Sequence, residues 1–130
     1  MEQERILIVD DDPDITETMK VVLENSGYKV GCAANGGEAK EQIKTFKPNL
    51  IILDVMMDTL EEGITLSREL KKDSKYKKIP IIIISAVKER TGIDFASAAG
   101  DEDWLPVEEF LDKPVKPELL LEKVQMLLNQ

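Results

Sequence analysis

Leu50-Ile51-Ile52-Leu53-Asp54 is the stretch on which the fold turns. Four consecutive large apolar residues leave no alternate position for water. Such a run suits a strand covered on both faces, the usual condition of a parallel sheet with helices above and below. Working outward, Ile6–Val9 and Ile79–Ile84 are runs of the same kind, Val30–Ala33 is mixed, and Phe110–Leu111 is short. Helical patterns separate them. Ile15, Met19, Val22 and Leu23 follow the spacing i, i+4, i+7, i+8, and Ser26-Gly27 is a stop signal. Asn35 before Gly36-Gly37-Glu38 reads as a capping box, after which Ala39, Ile43 and Phe46 mark one face until Pro48. Ile64, Leu66 and Leu70 carry a helix over 62–72, and Thr91–Ala99 is a fainter one. Leu120, Val124 and Leu127 mark the last helix, with Pro117 in its first turn, where a missing N–H is harmless. Asp101–Glu109 reads as a loop.

Strand alternating with helix predicts an α/β fold, a doubly wound (βα)5 three-layer sandwich around a five-stranded parallel sheet. The chain has 130 residues, the size of one domain with one core, and the expectation is a single domain over 1–130. There are 26 acidic and 17 basic residues, a net charge of −9, which argues against nucleic-acid binding by this domain. The densest basic run, Lys71, Lys72, Lys75, Lys77 and Lys78, sits beside acids and reads as a solvated loop rather than a segregated patch. A lone Cys32 excludes an internal disulfide, and the absence of histidine excludes histidine metal sites and histidine general bases. No membrane span and no signal peptide is visible, so a cytoplasmic location is expected.

In open α/β sheets ligands bind at the carboxyl ends of the strands. The first run ends in Asp10-Asp11-Asp12, the third in Asp54, the fourth in Ser85-Ala86 and the fifth in Asp112-Lys113-Pro114. Taken singly, each is an ordinary solvated acid, cap or surface charge, and Asp12 or Asp14 has an obvious use as a helix N-cap. Their arrival at four strand ends on one edge is what points to chemistry. Crowded carboxylates repel one another and recruit a cation, and hard oxygen donors without sulfur or imidazole select magnesium or calcium. A magnesium ion at Asp11 and Asp54 would neutralise the pocket for a phosphoryl group, with a carboxylate as nucleophile. Lys113, the Ser85 hydroxyl and the Ala86 N–H would serve the phosphoryl oxygens.

These residues resemble the receiver domains of two-component response regulators, of flavodoxin-like fold, over essentially the whole chain. Ile-Leu-Ile-Val-Asp-Asp-Asp-Pro at 6–13 is similar to that family's opening strand and acidic pair, and Leu-Ile-Ile-Leu-Asp-Val-Met-Met at 50–57 to its phosphorylation strand. Ile-Ile-Ile-Ile-Ser-Ala at 81–86 and Phe-Leu-Asp-Lys-Pro at 110–114 resemble its switch hydroxyl and lysine-proline motifs. The resemblance implies strand order 2-1-3-4-5, Asp54 as phosphoacceptor, and magnesium held by Asp10, Asp11, Asp54 and the Met56 carbonyl. It implies Lys113 on the phosphoryl group, Ser85 moving toward it, and Phe110 turning inward as Ser85 shifts. The implied donor is a sensor histidine kinase or histidine phosphotransfer protein. The implied output is a population shift on the face of the family's fourth helix, fifth strand and fifth helix, where an effector docks, in a monomer or a phosphorylation-dependent homodimer.

Three departures stand out. Asp58 and Glu62 occupy positions where the family usually has proline and glycine, with Gly63 one place late, so the loop after Asp54 reads as one residue longer. An extra piece, 100–106, lengthens the segment between Ser85 and Lys113, and its Trp104 is either a partner anchor or a cover for the core's edge. Phe110 stands for the common tyrosine. Met56 and Val87 stand where the family often carries groups that orient a hydrolytic water, which predicts slow loss of the phosphoryl group. Two rival readings compete. A haloacid-dehalogenase-like phosphatase shares the nucleophile, hydroxyl, lysine and magnesium. It lacks room here for a cap domain, and Glu118 and Glu122 fall within the last helix rather than forming its metal-binding pair. A docking module independent of phosphorylation would have lost key groups, and none is missing.

Overall fold

The computed structural model describes residues 3–10, 12–55, 60–85, 107–112 and 115–129. Five parallel strands, β1 (Arg5–Val9), β2 (Lys29–Ala33), β3 (Leu50–Val55), β4 (Ile81–Ser85) and β5 (Glu109–Asp112), form one sheet in the order β2-β1-β3-β4-β5. Four helices are described: α1 (Pro13–Asn25), α2 (Gly36–Phe46), α3 (Leu60–Lys72) and α4 (Pro117–Leu128). The expected helix over 91–99 and the extra piece at 100–106, Trp104 included, lie outside the described residues.

Side chains alternate across a strand, and the continuous runs therefore feed two cores. Leu7, Ile51, Leu53 and Ile83 pack with Ile43 of α2 and Leu66 and Leu70 of α3 on one face. Ile6, Ile8, Ile52 and Ile82 pack with Leu23 of α1 and Leu120, Val124 and Leu127 of α4 on the other. The residues from Leu50 to Ile52 and from Ile81 to Ile83 are wholly buried. Each such side chain contributes about 1.5–3 kcal/mol, which is why the sheet's centre tolerates no polar residue.

Local chemistry sets the ends of the helices. Asp12 caps α1, its Oδ1 accepting from the Asp14 and Ile15 amides at 3.0 and 3.5 Å. Of the acidic triplet, Asp12 is thus spent on the helix. Gly27, at φ +97°, closes α1: the Tyr28 N–H returns to the Leu23 carbonyl and the Gly27 N–H to that of Glu24. Asn35 caps α2 by accepting the Glu38 amide at 2.9 Å. Glu38 reaches back to the Ala34 N–H, one residue before the position an ideal capping box would use. Gly31 of β2 has the Phe46 ring against it, 3.1 Å from where a Cβ would stand.

Three expected boundaries move. α3 begins at Leu60, two residues before the expected start. β4 begins at Ile81, because Pro80 has no N–H to give the ladder and Ile79 turns back to the Tyr76 carbonyl. The loop expected over 101–109 gives way at its end: Val107 is 1 % exposed in the core and Glu109 opens β5. No helix among the described residues is long and apolar enough to cross a membrane.

Candidate functional site

β1, β3, β4 and β5 lie side by side, so the four strand ends that carry the candidate residues are consecutive along one edge of the sheet. Register fixes their level. Val9 pairs with Leu53, and one step further sets Asp10 opposite Asp54, which pairs with Ile84. The next row carries Val55, Ser85 and Asp112. Neighbouring strands run about 4.8 Å apart, so the backbones at positions 10, 54 and 84 fall within about 10 Å.

Asp10 is 8 % exposed, the one buried charged residue among the described residues. Its N–H extends the ladder to the Ala33 carbonyl at 2.9 Å, and its Oδ1 accepts the Asp12 amide at 3.0 Å. That bond bends the chain out of β1 and delivers it to the cap of α1. Asp11, Met56, Ala86 and Lys113 lie outside the described residues, and so does Val87. The chain on both sides of Asp11 is nevertheless at this edge, as is Asp112, which directly precedes Lys113.

Phe110 pairs with Ile83 and is 4 % exposed, a member of the core on the sheet face that carries α2 and α3. A phenyl ring has no hydroxyl to keep wet, so burial carries no polar cost.

Two titratable groups outside this edge are displaced from their ordinary behaviour. Burial pushes the Cys32 thiol up, Lys20 pulls it partly back, and Glu17 and Glu24 add to the rise. Burial, and then Glu4, raises the Tyr28 phenol. A thiol held protonated is a poor metal ligand and a slow nucleophile.

Residues 6–125 match the response regulator receiver domain family. The chain is a response regulator receiver domain. Protein PilH of Pseudomonas aeruginosa is 33% identical over 124 residues, covering 95% of this chain and 97% of its own. Response regulator MprA of Mycobacterium ulcerans is 38% identical over 130 residues, covering 97% of this chain but 50% of its own; the chain spans about half the length of such longer relatives. Among solved structures, a signal receiver domain of a signal transduction histidine kinase from Syntrophus aciditrophicus superposes with a TM-score of 0.78 at 31% identity, covering 97% of this chain and 90% of its own. The chemotaxis response regulator CheY4 of Vibrio cholerae does so with 0.73 at 27%, covering 97% and 99%. The sheet order 2-1-3-4-5 agrees with that fold. Receiver domains are signalling proteins phosphorylated by histidine kinases, and these comparisons do not favour either rival reading.

One part of the molecule escaped the sequence reading. Lys71 is not solvated: its ammonium pairs with the Glu108 carboxylate and donates to the Ile79 carbonyl at 2.9 Å and the Lys77 carbonyl at 3.3 Å. Its side chain is 17 % exposed. The contact ties the end of α3 to the entry of β5 across 37 positions, and no local pattern announces it.

Proposed function

We propose that Asp54 accepts the phosphoryl group in this receiver domain, residues 1–130 acting as a single domain. The observation that supports it best is the register that sets Asp54 opposite buried Asp10 at one sheet edge. The donor is a sensor histidine kinase or histidine phosphotransfer protein: its N–P bond breaks as a bond from an Asp54 carboxylate oxygen to phosphorus forms, and the imidazole leaves. Asp10, Asp11, Asp54 and the Met56 carbonyl are hard oxygen donors suited to magnesium, histidine is absent, and burial raises the pKa of the lone Cys32 thiol. When bound, magnesium neutralises the carboxylates and the phosphoryl charge. Lys113 supplies a point charge, and the Ser85 hydroxyl and Ala86 N–H donate to the remaining oxygens. Asp12 caps α1 and takes no part.

The domain is not an enzyme toward a second substrate; it promotes at most its own phosphorylation and its slow reversal. With Met56 and Val87 unable to orient water, the purified phosphoprotein keeps its label well beyond seconds, and a half-life of seconds contradicts this. The output face is built from the segment after β4, β5 and α4, and it serves an effector or a second phosphorylated copy. The working location is the cytoplasm.

Incubation with acetyl phosphate, followed by intact mass measurement, tests the assignment. Wild type gains one phosphoryl group only with magnesium, and Asp54→Asn gains none while keeping its circular dichroism. Labelling of the Asn variant, or continuous release of phosphate from a small ester, refutes the reading.

A further inference from the structure

The opposite edge of the sheet, where strands begin, carries the reverse charge. Lys29 opens β2, and Lys44 and Lys47 end α2; with Arg5 and the Phe46 ring, Lys29 and Lys47 line an open groove of about 480 Å³. A second groove of about 380 Å³ adjoins it through Lys47, with Lys44 and Lys75 on its walls and Ile43, Tyr76 and Ile79 beneath. The connection from α3 to β4 adds Lys72, Lys77 and Lys78. These seven lysines are exposed, and among the described residues none forms an ion pair. Two of the nearby acids are paired elsewhere, Glu69 with Lys40 and Glu108 with Lys71, and Asp73 accepts the Lys75 amide; Glu4, before β1, and Asp73 leave the lysines in excess. No segregated basic patch is visible along the sequence, yet folding gathers these lysines from three separate connections at one end of the sheet.

Lys47 adds an independent observation. It is the sole non-glycine at positive φ among the described residues, at +54°. An L-residue there is strained, and glycine or asparagine would end the helix more cheaply. Arg5 Nε holds the Lys47 carbonyl at 2.9 Å, fixing the strained turn. Strain retained at the residue that joins two grooves points to use of its side chain.

We propose that this edge docks a short acidic peptide segment of a partner protein, with an aromatic or aliphatic side chain set into the grooves. Length selects that occupant. The chain as a whole carries −9, so a nucleic acid extending beyond the edge meets repulsion from the rest of the surface. A segment spanning the starts of β2 to β4 covers about 15 Å and stays within about two Debye lengths of the lysines. Lysines supply point charges without the geometric demand of arginine, which suits carboxylates spaced along a peptide. The apolar floor of Ile43, Tyr76 and Ile79 has no use for a bare polyanion.

The probe is a fluorescein-labelled nonapeptide of eight Glu and a central Phe, read by anisotropy against the whole chain. Wild type binds at about 20 mM salt and weakens about tenfold or more by about 200 mM. Lys44→Glu/Lys47→Glu abolishes binding, whereas Lys20→Glu/Lys123→Glu, an equal change of charge elsewhere, alters it less than about twofold. Lys47→Gly separates docking from architecture: it raises the melting temperature while weakening the peptide about threefold or more. Replacing the central Phe by Glu also weakens binding. No binding at low salt, indifference to the Lys44/Lys47 double change, or tighter binding of a single-stranded oligonucleotide of similar length overturns the proposal.

Discussion

At the edge where strands end, the described chain supplies carboxylates: Asp10 buried, Asp12 bound into a cap, and Asp54 level with Asp10. Where strands begin it supplies unpaired lysines around two open grooves, one of them floored by Ile43, Tyr76 and Ile79. The two edges are built from the same five strands and differ in how the chain enters and leaves them. Every strand exit is a short step from a buried run to a polar residue, so its composition can be read along the chain. The strand entries are assembled from helix ends and turns far apart in sequence. Chemistry placed by one strand end at a time is legible; chemistry placed by several connections together is not.

The largest separable effect should fall on the exit edge. Lys113→Gln should slow phosphorylation by acetyl phosphate about 10²-fold or more, as for loss of one transition-state charge partner, while peptide binding at the entry edge stays unchanged. Joint loss of both would mean that the edges communicate and that the comparison is too simple. The next effect concerns the clasp beside the entry edge. Lys71→Met leaves Glu108 partly buried without its cation and should lower stability to urea by about 1–3 kcal/mol, with Lys71→Met/Glu108→Leu recovering most of it. If the single change costs nothing, Lys71 is an ordinary surface lysine, as its sequence context suggests.

Smaller is the backbone strain at Lys47. Lys47→Gly should stabilise the fold by about 1 kcal/mol in urea titration, whereas Gly27→Ala, with the same sign of φ, should destabilise it. Smallest is the alkaline limb of the stability curve. Cys32 and Tyr28 hold their protons more tightly folded than unfolded. The stability they contribute is complete below the unfolded thiol pKa of about 8.5 and is lost as pH rises through the folded values. Cys32→Ala should flatten the first part of that fall, and alkylation of Cys32 at mildly alkaline pH should be slow beside a free thiol.

How much was legible follows the same division. Leu50–Leu53 and Ile81–Ile84 announce their strands because both faces are covered and every position must be apolar. Leu120, Val124 and Leu127 announce the last helix by period alone, and all three are buried. Only two residues of β5 show in the sequence, because Glu109, a strand residue paired with Lys123, has no apolar signature. α3 starts at Leu60, ahead of the Ile64, Leu66 and Leu70 spacing that marks it in the sequence. At the site, Asp10 and Asp54 could be found from strand ends, and Asp12 could be separated as a cap from its place before Pro13. The Lys71–Glu108 pair could not, because neither residue lies in a pattern pointing to the other.

Reductive trapping tests directly which carboxylate carries the phosphoryl group. Borohydride reduces an acyl phosphate of aspartate to homoserine, and peptide mass mapping then locates it. After acetyl phosphate and magnesium, the conversion should appear at position 54 alone. Conversion at position 10, 11 or 12, or none despite a gain of phosphoryl mass on the intact chain, would contradict the account.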